Sequence, residues 1–375
     1  MTPRGGKPEL KQPTCLSVAP GPSGALSPAF PRSDVVAAAA WALRAAGPER
    51  TALRRAADEV RAATVGPVVH LRALIEFSNR CVQRCLYCGL RRDNAALERY
   101  ALEPDNIVHL ALEAARAGYA TVVLQSGEDP AYTCETIARV VGRIKDAQPG
   151  LAVTLSVGER PRRDYAAWRA AGADRYLLKH ETSDPVLYAS LRPGRRLEQR
   201  LRCAEWLREL GYEVGLGNIV GLPGQTEASL VGDLELLARF EPEMVGVGPF
   251  IPHPDTPLAG AAPGSADLTV DFLALTRLLL PRANLPATTA LATLDRAARV
   301  EALRAGANVL MVNVGPTERR RLYAIYPHRD DGALTSLPEA ARATSLDAQR
   351  RAVCAWLAGL GRPVDTLRGE ERAGC

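Results

Sequence analysis

The stretch that decides the fold of this chain covers residues 75–92 and reads IEFSNRCVQRCLYCGLRR. A strand-like apolar run over residues 71–77 leads into it. Three cysteines, Cys81, Cys85 and Cys88, then follow with the spacing Cys-x3-Cys-x2-Cys. In a barrel of parallel strands, the loops that follow the strands gather at the end where active sites lie. The stretch therefore predicts a metal-binding loop at the functional end of a strand.

Three thiolates at this spacing indicate an iron–sulfur cluster rather than a structural zinc ion. Cysteine thiolates hold such clusters, and three protein ligands on four irons leave one iron open. Zinc needs four protein ligands, usually as two spaced pairs or with a nearby histidine. No second cysteine pair follows, and the nearest histidines, His70 and His109, fall at the start of a predicted strand and inside a predicted helix. Three buried structural cysteines are a weaker alternative, because arginines flank the loop.

The remaining cysteines and the apolar stretches indicate the cellular compartment. The other five cysteines are scattered at positions 15, 134, 203, 354 and 375. A disulfide framework would place pairs along a small secreted chain, so we expect a reducing compartment. The first residues lack the apolar core of a secretory signal. The longest apolar stretch, residues 35–43, is too short to span a bilayer. We therefore expect a cytoplasmic protein without a membrane partner.

Composition and charge are those of a soluble globular protein. The chain has 375 residues, of which 47% are hydrophobic and 24% are charged. Its net charge is 47 − 42 = +5, and the excess is scattered arginine, with the densest cluster at residues 319–321. Because no basic tract interleaves with aromatic residues, we expect no nucleic-acid partner. The mild positive balance suits small anionic ligands better.

Short apolar runs alternate eight times with longer stretches of helical periodicity. The predicted strands are 71–77, 120–124, 152–156, 175–178, 213–219, 244–247, 287–290 and 309–312. The predicted helices are 104–117, 135–147, 163–171, 196–210, 226–239, 267–280, 296–305 and 316–325. Nearly continuous apolar strands are buried on both faces and therefore parallel. Eight such units predict an α/β fold, a closed (β/α)8 TIM barrel.

Four segments make up the predicted domain organisation. Residues 1–33 are rich in proline, glycine and serine, which is typical of a disordered extension. Residues 34–64 form N-terminal helices, and residues 65–327 form the barrel. Residues 328–375 form a C-terminal tail with one helix, near 346–360, packed outside the barrel.

The cysteine spacing, with Tyr87 before Cys88, resembles the radical S-adenosylmethionine (SAM) superfamily. Residues 75–92 also look like the HydE family of [FeFe]-hydrogenase maturases, which are relatives of biotin synthase. The strings GPFIPHPDTPL at 248–258 and PATTA at 286–290 are distinctive of the same family, and the likeness extends over about residues 49–327. The resemblance implies an enzyme of the radical SAM barrel type. It implies one [4Fe-4S] cluster on Cys81, Cys85 and Cys88, and reductive cleavage of SAM to a 5′-deoxyadenosyl radical.

Residues after the second to fourth strands are implied to bind SAM. Gln125, Ser126, Gly127 and Glu128 stand where the superfamily has a Gly-Gly-Glu-type motif that contacts the SAM amino group. An ordinary turn between strand and helix is the alternative. In HydE-like proteins the residues that match Glu181 and Arg200 bind SAM. A carboxylate can accept ribose hydroxyls, and a guanidinium can hold a carboxylate in a two-point fork. For Arg200, a surface salt bridge to Glu198 is the alternative.

The resemblance adds three further SAM residues. Ser156 ends the third predicted strand, and Gly221 lies in a glycine turn that resembles the superfamily's element near adenine. Tyr87 could pack on the adenine ring or be a core aromatic. A tight turn is the alternative for Gly221.

The implied substrate residues lie further along the chain. They are Lys179, Thr288, Thr289, Tyr323 and Tyr326. Packing is the alternative for the threonines, as β-branched strand residues, and for the tyrosines, as one face of an exposed helix. His253 is a weaker candidate for a substrate contact, because a structural role explains it at least as well.

Three departures from the HydE pattern stand out. Lys179 replaces the usual arginine, and a point charge cannot make the same bidentate contact. Residues 312–316 read VNVGP instead of Pro-Asn-x-Thr-Pro. Only Cys354 and Cys375 remain where some members carry a triad for an accessory cluster, so we expect a single cluster.

The implied reaction has a substrate, an electron donor and partners. The substrate would be an organometallic iron compound, the iron–carbonyl–cyanide–cysteine synthon of H-cluster assembly, or another small molecule. A ferredoxin- or flavodoxin-type protein would supply the electron, and other hydrogenase maturases would be partners. The alternatives are a radical SAM mutase or sulfur-insertion enzyme, like methylornithine synthase or biotin synthase, and a non-enzymatic metal-binding scaffold.

Overall fold

The computed structural model describes residues 32–327 and 345–364. Residues 1–31 of the predicted extension, residues 328–344 and 365–375 of the predicted tail, and with them Cys15 and Cys375, lie outside these ranges. The last two residues of the predicted extension, Arg32 and Ser33, begin a helix instead. Within them, no helix is both long enough and apolar enough to cross a lipid bilayer. We retain the division into N-terminal helices, barrel and C-terminal tail as a proposal.

Nine strands and thirteen helices are assigned in the described part of the chain. The strands are β1 (His70–Ser78), β2 (Thr121–Ser126), β3 (Ala152–Ser156), β4 (Arg175–Leu177), β5 (Glu213–Leu216), β6 (Ile219–Val220), β7 (Met244–Val245), β8 (Gly248–Pro249) and β9 (Val309–Asn313). The helices are α1 (Arg32–Ala42), α2 (Gly47–Thr64), α3 (Pro104–Arg116), α4 (Cys134–Ala147), α5 (Arg162–Ala170), α6 (Pro185–Leu191), α7 (Leu197–Glu209), α8 (Glu227–Phe240), α9 (Ala266–Leu279), α10 (Thr289–Leu294), α11 (Arg296–Arg304), α12 (Thr317–Arg320) and α13 (Leu346–Gly359).

Seven strands form one parallel sheet, as the apolar runs predicted. Their order is β7-β5-β4-β3-β2-β1-β9, and every pair is parallel. The helices between them cover the outer face with apolar stripes; in α4 the stripe is Ile137, Val140, Val141 and Ile144, spaced for one face of a helix. The barrel-type α/β fold predicted from the sequence is confirmed.

Residues 284–287 join the two edges of this sheet without forming an assigned strand. Val245 donates its N–H to the Asn284 carbonyl at 3.0 Å, and Ala287 donates to the Val309 carbonyl at 3.0 Å. The predicted strand at 287–290 is wrong, because the chain turns into α10 at Thr289. The Thr288 hydroxyl accepts the Leu291 N–H at 3.3 Å and caps that helix.

A second, two-stranded sheet was not predicted. The strand expected over 213–219 breaks at Gly217, where a Cβ atom would lie 2.2 Å from the Gly246 carbonyl oxygen. After this close contact, β6 pairs with β8 at the carboxyl end of the barrel. The break brings Ile219 and Gly248 to the rim of the central cavity.

The N-terminal helices are fixed to the barrel by buried charge pairs. Asp271 of α9 has a fully buried side chain, and it accepts from Arg50 and Arg54 of α2 at 2.9 and 2.8 Å. At the amino end of the strands, Val69 donates to the Pro363 carbonyl at 2.7 Å, just after α13. The first contact thus packs α2 against α9, and the second places the residues after α13 beside the start of β1.

Candidate active site

The three motif cysteines lie together at the carboxyl end of β1. An irregularity in the pairing of β1 with β2, between Glu76 and Ser78, redirects the chain into the cysteine loop. Cys81, Cys85 and Cys88 all line a cavity of about 290 Å³. The loop after the first strand therefore opens into the centre of the barrel mouth, as predicted.

Arg99 holds the two ends of this loop together. Its guanidinium donates to the carbonyl of Asn79, before the first cysteine, at 2.7 Å. It also donates to the carbonyls of Leu90 at 2.9 Å, Arg91 at 2.7 Å and Asn94 at 3.2 Å, after the last cysteine. A loop without regular secondary structure must satisfy its carbonyls elsewhere, and one cation satisfies four of them.

The thiols fit a cluster better than a single ion. Within residues 32–327 and 345–364, no three His, Cys, Asp or Glu side chains are placed to hold one metal ion. In a cluster each thiolate ligates a different iron atom, so the three sulfur atoms need not surround one shared metal position. The Cys81 sulfur also accepts N–H groups of Gln83 and Glu128, both at 3.4 Å, which suits an anionic sulfur. This arrangement argues against the zinc alternative.

Burial favours the neutral form of two of the thiols, those of Cys81 and Cys88. It raises the pKa of Cys81 to about 11, and burial and the neighbouring cysteines raise the pKa of Cys88 well above its ordinary value. Because metal ligation needs thiolates, binding of a positively charged group must release these protons.

Buried charges form a network on the opposite wall of the cavity. Arg200 donates to the Lys179 carbonyl at 2.9 Å and to Glu159 at 3.1 Å, and its guanidinium lies 3.9 Å from Glu181. Arg192 lies 3.6 Å from Glu159 and 3.9 Å from Glu128. Arg200 is buried here and does not pair with Glu198, so the surface salt bridge considered from the sequence is wrong.

Two atoms of this network have no hydrogen-bond partner in the described residues. They are Nε of Arg192 and Oε2 of Glu159, and both are fully buried. Unsatisfied buried polar atoms are rare in native proteins and call for a missing partner. Arg192 lines the cavity, so its spare donor suits an anionic group of a ligand such as a carboxylate, whereas Glu159 lies behind the wall and pairs with Arg192 and Arg200.

Glu181 is placed by a strained backbone. Its φ is +68°, in a region that non-glycine residues seldom adopt. Its N–H donates to Gly217 and its carbonyl accepts from Ile219, both at 2.9 Å, so the two neighbouring segments fix it. Its carboxylate lies 3.4 Å from the Lys179 ammonium. Strain of this kind gathers at ligand-binding sites.

The predicted turn at 125–128 lies at the cavity wall. Gly127 leaves no room for a side chain, since a Cβ atom would lie 2.2 Å from the Arg80 carbonyl oxygen. Glu128 accepts hydrogen bonds from the Gln83 side chain and from the Glu159 N–H. Ser156 and Tyr87 also line the cavity.

A second cavity of about 180 Å³ continues towards the middle of the strands. Alternate residues of four segments line it, as the period of a strand requires. The pairs are Leu74 and Glu76, Leu177 and Lys179, Gly246 and Gly248, and Met311 and Asn313. Both cavities share Gln125, Lys179, Tyr323 and Tyr326, so they form one continuous chamber.

The predicted substrate residues meet in this inner part. Thr288, Thr289, Tyr323 and Tyr326 line it together with Lys179. The two tyrosines do not lie on an exposed helix, because α12 ends at Arg320, and beyond it Tyr323 is buried and Tyr326 half-buried. Tyr326 hydrogen-bonds the side chains of Thr289 and Thr293, and Tyr323 that of Gln125.

Two candidates do not line the chamber. Gly221 lies in a turn with φ +86°, against Gly264, where a Cβ atom would lie 2.4 Å from the neighbouring Cα. His253 is buried behind the cysteine loop, and a Cβ atom on Gly89 would lie 2.5 Å from its ring. The close packing of both pairs fits the structural alternatives.

Comparisons with known proteins agree with this geometry. A family model of the radical SAM superfamily matches residues 75–237. The [FeFe] hydrogenase maturase subunit HydE of Thermotoga maritima is 55% identical over 276 residues, 74% of this chain and 79% of that protein. The chain belongs to the HydE family of radical SAM proteins.

More distant relatives show the same fold. A 3-methylornithine synthase of Methanosarcina acetivorans is 30% identical to this HydE-family chain over 256 residues, 68% of the chain and 72% of that protein. The crystal structure of methylornithine synthase PylB matches with a TM-score of 0.75 at 25% identity, over 90% of this chain and 95% of that one.

Sequence reasoning missed three polar residues of this HydE-family site. Glu159 and Arg192 follow β3 and α6, and the rule that selected Glu181, a charged residue just after a strand, would also have selected Glu159. Glu76 is a charged residue inside an apolar strand, which is itself a signal. Its carboxylate accepts from the Asn313 amide at 2.6 Å and faces the inner part of the chamber.

We expect Arg99→Met to loosen the cysteine loop. Four carbonyls lose a charged donor, so the free energy of unfolding should fall by about 2–4 kcal/mol. Anaerobic denaturation followed by circular dichroism measures this, and iron content after reconstitution should fall with it. Arg92→Met, an exposed arginine of the same loop, should change stability by less than about 0.5 kcal/mol. Equal effects of the two changes would contradict the role of Arg99.

We expect Glu76→Gln to stabilise the protein increasingly as the pH rises. Burial raises the pKa of Glu76 from 4.5 to about 8, against the opposing effects of Asn313 and Arg320. Between these values the unfolded chain has lost a proton that the folded chain keeps, so wild-type stability falls across this window. Glutamine does not titrate. The free energy of unfolding of the variant, relative to wild type, should therefore rise by about 1–3 kcal/mol from pH 5 to pH 8.

Denaturation midpoints at several pH values test this expectation. Glu59→Gln, an exposed change on α2, is the matched control and should show a nearly constant difference from wild type. A Glu76→Gln advantage that does not change with pH would mean that the carboxyl is not held neutral.

Proposed function

We propose that this chain is a HydE-type radical SAM maturase that acts in assembly of the H-cluster of [FeFe] hydrogenase. The observation that carries the proposal is one continuous chamber that joins three cysteine thiols, a buried charge network and a hydroxyl-lined inner end. The 55% identity to the maturase, against 30% to the methylornithine synthase, favours the maturation role over that rival.

Cys81, Cys85 and Cys88 would hold a single [4Fe-4S] cluster. Their shared cavity, the N–H groups donated to the Cys81 sulfur and the lack of a common point for one ion all support this assignment. With SAM, the cluster supplies one-electron reductive cleavage of a sulfonium bond, which yields methionine and a 5′-deoxyadenosyl radical.

The charge network would bind the methionine part of SAM. Arg200 and Arg192 are buried cations at the cavity wall that can take its carboxylate, and Glu128 at the same wall is an acceptor for its ammonium. Glu159 pairs with both guanidinium groups from behind the wall. Their mutual ion pairs fix the side chains before the ligand arrives, so little ordering is needed on binding. Gly127 permits the close approach at the wall, and Ser126 and Ser156 line it beside Gln125.

The adenosine part would lie beside a small apolar cluster. Leu187, Leu191, Leu222 and Phe250 form this cluster, and Tyr87 and Ile219 pack against it. A flat aromatic surface suits a purine ring. Glu181, held by its strained backbone at the same wall, can accept the ribose hydroxyls.

The inner end of the chamber would hold the organometallic iron substrate. Thr288, Thr289, Tyr323 and Tyr326 offer hydroxyl groups, and Lys179 offers a positive charge between the two cavities. Such donors suit a compound with anionic or strongly polar ligands on iron. The Lys179 ammonium makes a single-point contact where the family's arginine makes a fork, so this chain should orient the substrate less rigidly. A reductant protein and other hydrogenase maturases are the partners implied by this role.

We expect wild-type protein, but not Cys85→Ala, to restore hydrogenase activity in a strain that lacks its own HydE. Loss of one thiolate leaves an incomplete cluster site, so reconstituted Cys85→Ala should also form no 5′-deoxyadenosine with dithionite. Cys134→Ala, a half-buried cysteine outside the loop, is the control and should behave as wild type. Deoxyadenosine formation without complementation would favour a mutase or sulfur-insertion role. No deoxyadenosine from wild type would favour a non-enzymatic scaffold.

We expect Arg200→Lys to weaken SAM binding about tenfold or more. Lysine keeps the charge, but unlike the guanidinium group it cannot contact the Lys179 carbonyl, Glu159 and a ligand carboxylate at the same time. The loss of one charged hydrogen bond costs about 1.5–3 kcal/mol of binding free energy. Equilibrium dialysis with labelled SAM on reconstituted protein measures this. Arg202→Lys, on the same helix but exposed, should bind as wild type. Equal binding by both variants would remove Arg200 from the SAM site.

A further inference from the structure

Six arginines surround the cysteine loop, of which four are exposed and two, Arg91 and Arg195, are partly buried. We call them the basic rim, and they are Arg80, Arg84, Arg91 and Arg92 of the loop and Arg195 and Arg196 of the turn after α6. Two contacts bring the segments together. Arg195 donates to the Gln83 side chain at 2.8 Å, and Leu86 donates its N–H to the Leu191 carbonyl at 2.9 Å.

The basic rim carries a strong local charge. Asp93 is the carboxylate of the loop, and it pairs with Arg84 at 2.8 Å and with Arg91 at 2.9 Å. Six arginines minus one aspartate give +5, which equals the net charge of the whole chain, 47 − 42 = +5. Glu128 and Glu159 lie below this surface, with side chains only 12% and 4% exposed, and Glu159 offsets part of the charge from within because it lies 3.9 Å from Arg195.

An apolar side chain lies within this charged surface. Val82, between Cys81 and Cys85, is 44% exposed, and among the described residues only Trp41 and Val186 are comparably exposed large hydrophobic residues. Val186 begins α6, the helix whose last residue contacts the loop. An exposed apolar side chain surrounded by side chains of one charge is typical of a surface that binds a partner protein transiently.

We propose that the basic rim and Val82 dock an acidic protein that carries one electron, and that the electron enters the chamber beside Cys81. The inference rests on the proposed function, in which each SAM cleavage consumes one electron from outside. In the transfer the carrier is oxidised by one electron and the cluster is reduced by one, with no bond made or broken and no proton moved.

The charge and the small apolar area of this surface favour an acidic electron carrier as its partner. Complementary charge accelerates encounter and selects the partner, while a small apolar contact keeps the complex short-lived. Cys81 is next in sequence to the exposed Val82, so a carrier seated there lies one residue from a cluster ligand. The loop is already held by Arg99 and need not rearrange for docking.

The test uses the full-length reconstituted protein, an acidic flavodoxin and two matched double variants. Arg92→Glu with Arg196→Glu reverses two charges of the basic rim. Arg55→Glu with Arg304→Glu makes the same change in net charge on α2 and α11, at exposed positions outside the rim. Biolayer interferometry at about 50 and 200 mM salt gives the affinity, and stopped-flow absorbance gives the rate of cluster reduction by reduced flavodoxin.

We expect the rim variant to bind flavodoxin about tenfold or more weakly, with a flatter salt dependence and slower reduction. The control variant should stay within about twofold of wild type. Equal affinity of the two variants would overturn the proposal, and so would an unchanged salt dependence in the rim variant. Deoxyadenosine formed with dithionite should be the same in all three proteins. If none forms, the proposed function fails, while the binding data still decide the docking surface.

Discussion

The conformation of the cysteine loop at the mouth of the barrel depends on one cation, the Arg99 guanidinium group, which donates to four backbone carbonyls. The cysteine loop has no regular secondary structure, and Arg99 ties the residue before its first cysteine to residues after its last. Asn79 adds to this by donating its amide to the Glu98 and Leu322 carbonyls, both at 2.8 Å. Because the loop is closed on itself in this way, its two ends are fixed to each other at the mouth of the barrel.

The chamber behind the loop must keep several charges out of water. An isolated buried ion is very costly, so carboxylates and guanidinium groups occur there as a connected set. The set is not closed, since Arg192 and Glu159 each retain an unsatisfied atom. In the proposed function, the carboxylate of SAM would take the spare donor of Arg192. The low dielectric of the interior makes such a contact strong.

The sequence predicted the strands of the barrel well, and its errors have physical causes. Buried parallel strands such as β2 and β3 are short apolar runs, so hydrophobic pattern alone located them. At residues 287–290 the β-branched Thr288 and Thr289 suggested a strand, but the Thr288 hydroxyl caps a helix instead. The helix expected at 316–325 stops at Arg320, because the tyrosines beyond it pack inward.

The sequence predicted those site residues that follow the end of a strand or belong to a motif. It missed those whose position depends only on tertiary packing. Cys81 and Glu181 were found in this way, and so was the turn at Gly127. Arg99 was missed, because nothing in its neighbourhood along the chain shows that four carbonyls will converge on it. Gly221 was placed in the site from its glycine turn, yet the turn serves a close backbone contact with Gly264. A motif gives the local conformation, but tertiary packing decides which way it faces.

The three zones of the functional end differ in charge for one reason, their access to water. Most of the basic rim is exposed, so it can hold an excess of positive charge at little cost. The charged side chains in the middle zone are buried, and carboxylates there are balanced by guanidinium groups. At the inner end Glu76 has Asn313 as its close partner, and it is neutralised by a raised pKa rather than by an ion pair. The inner end therefore combines hydroxyl groups and a neutral carboxyl group with one ammonium, that of Lys179, which it shares with the middle of the chamber. In the proposed function, this arrangement suits a substrate whose ligands are polar or anionic.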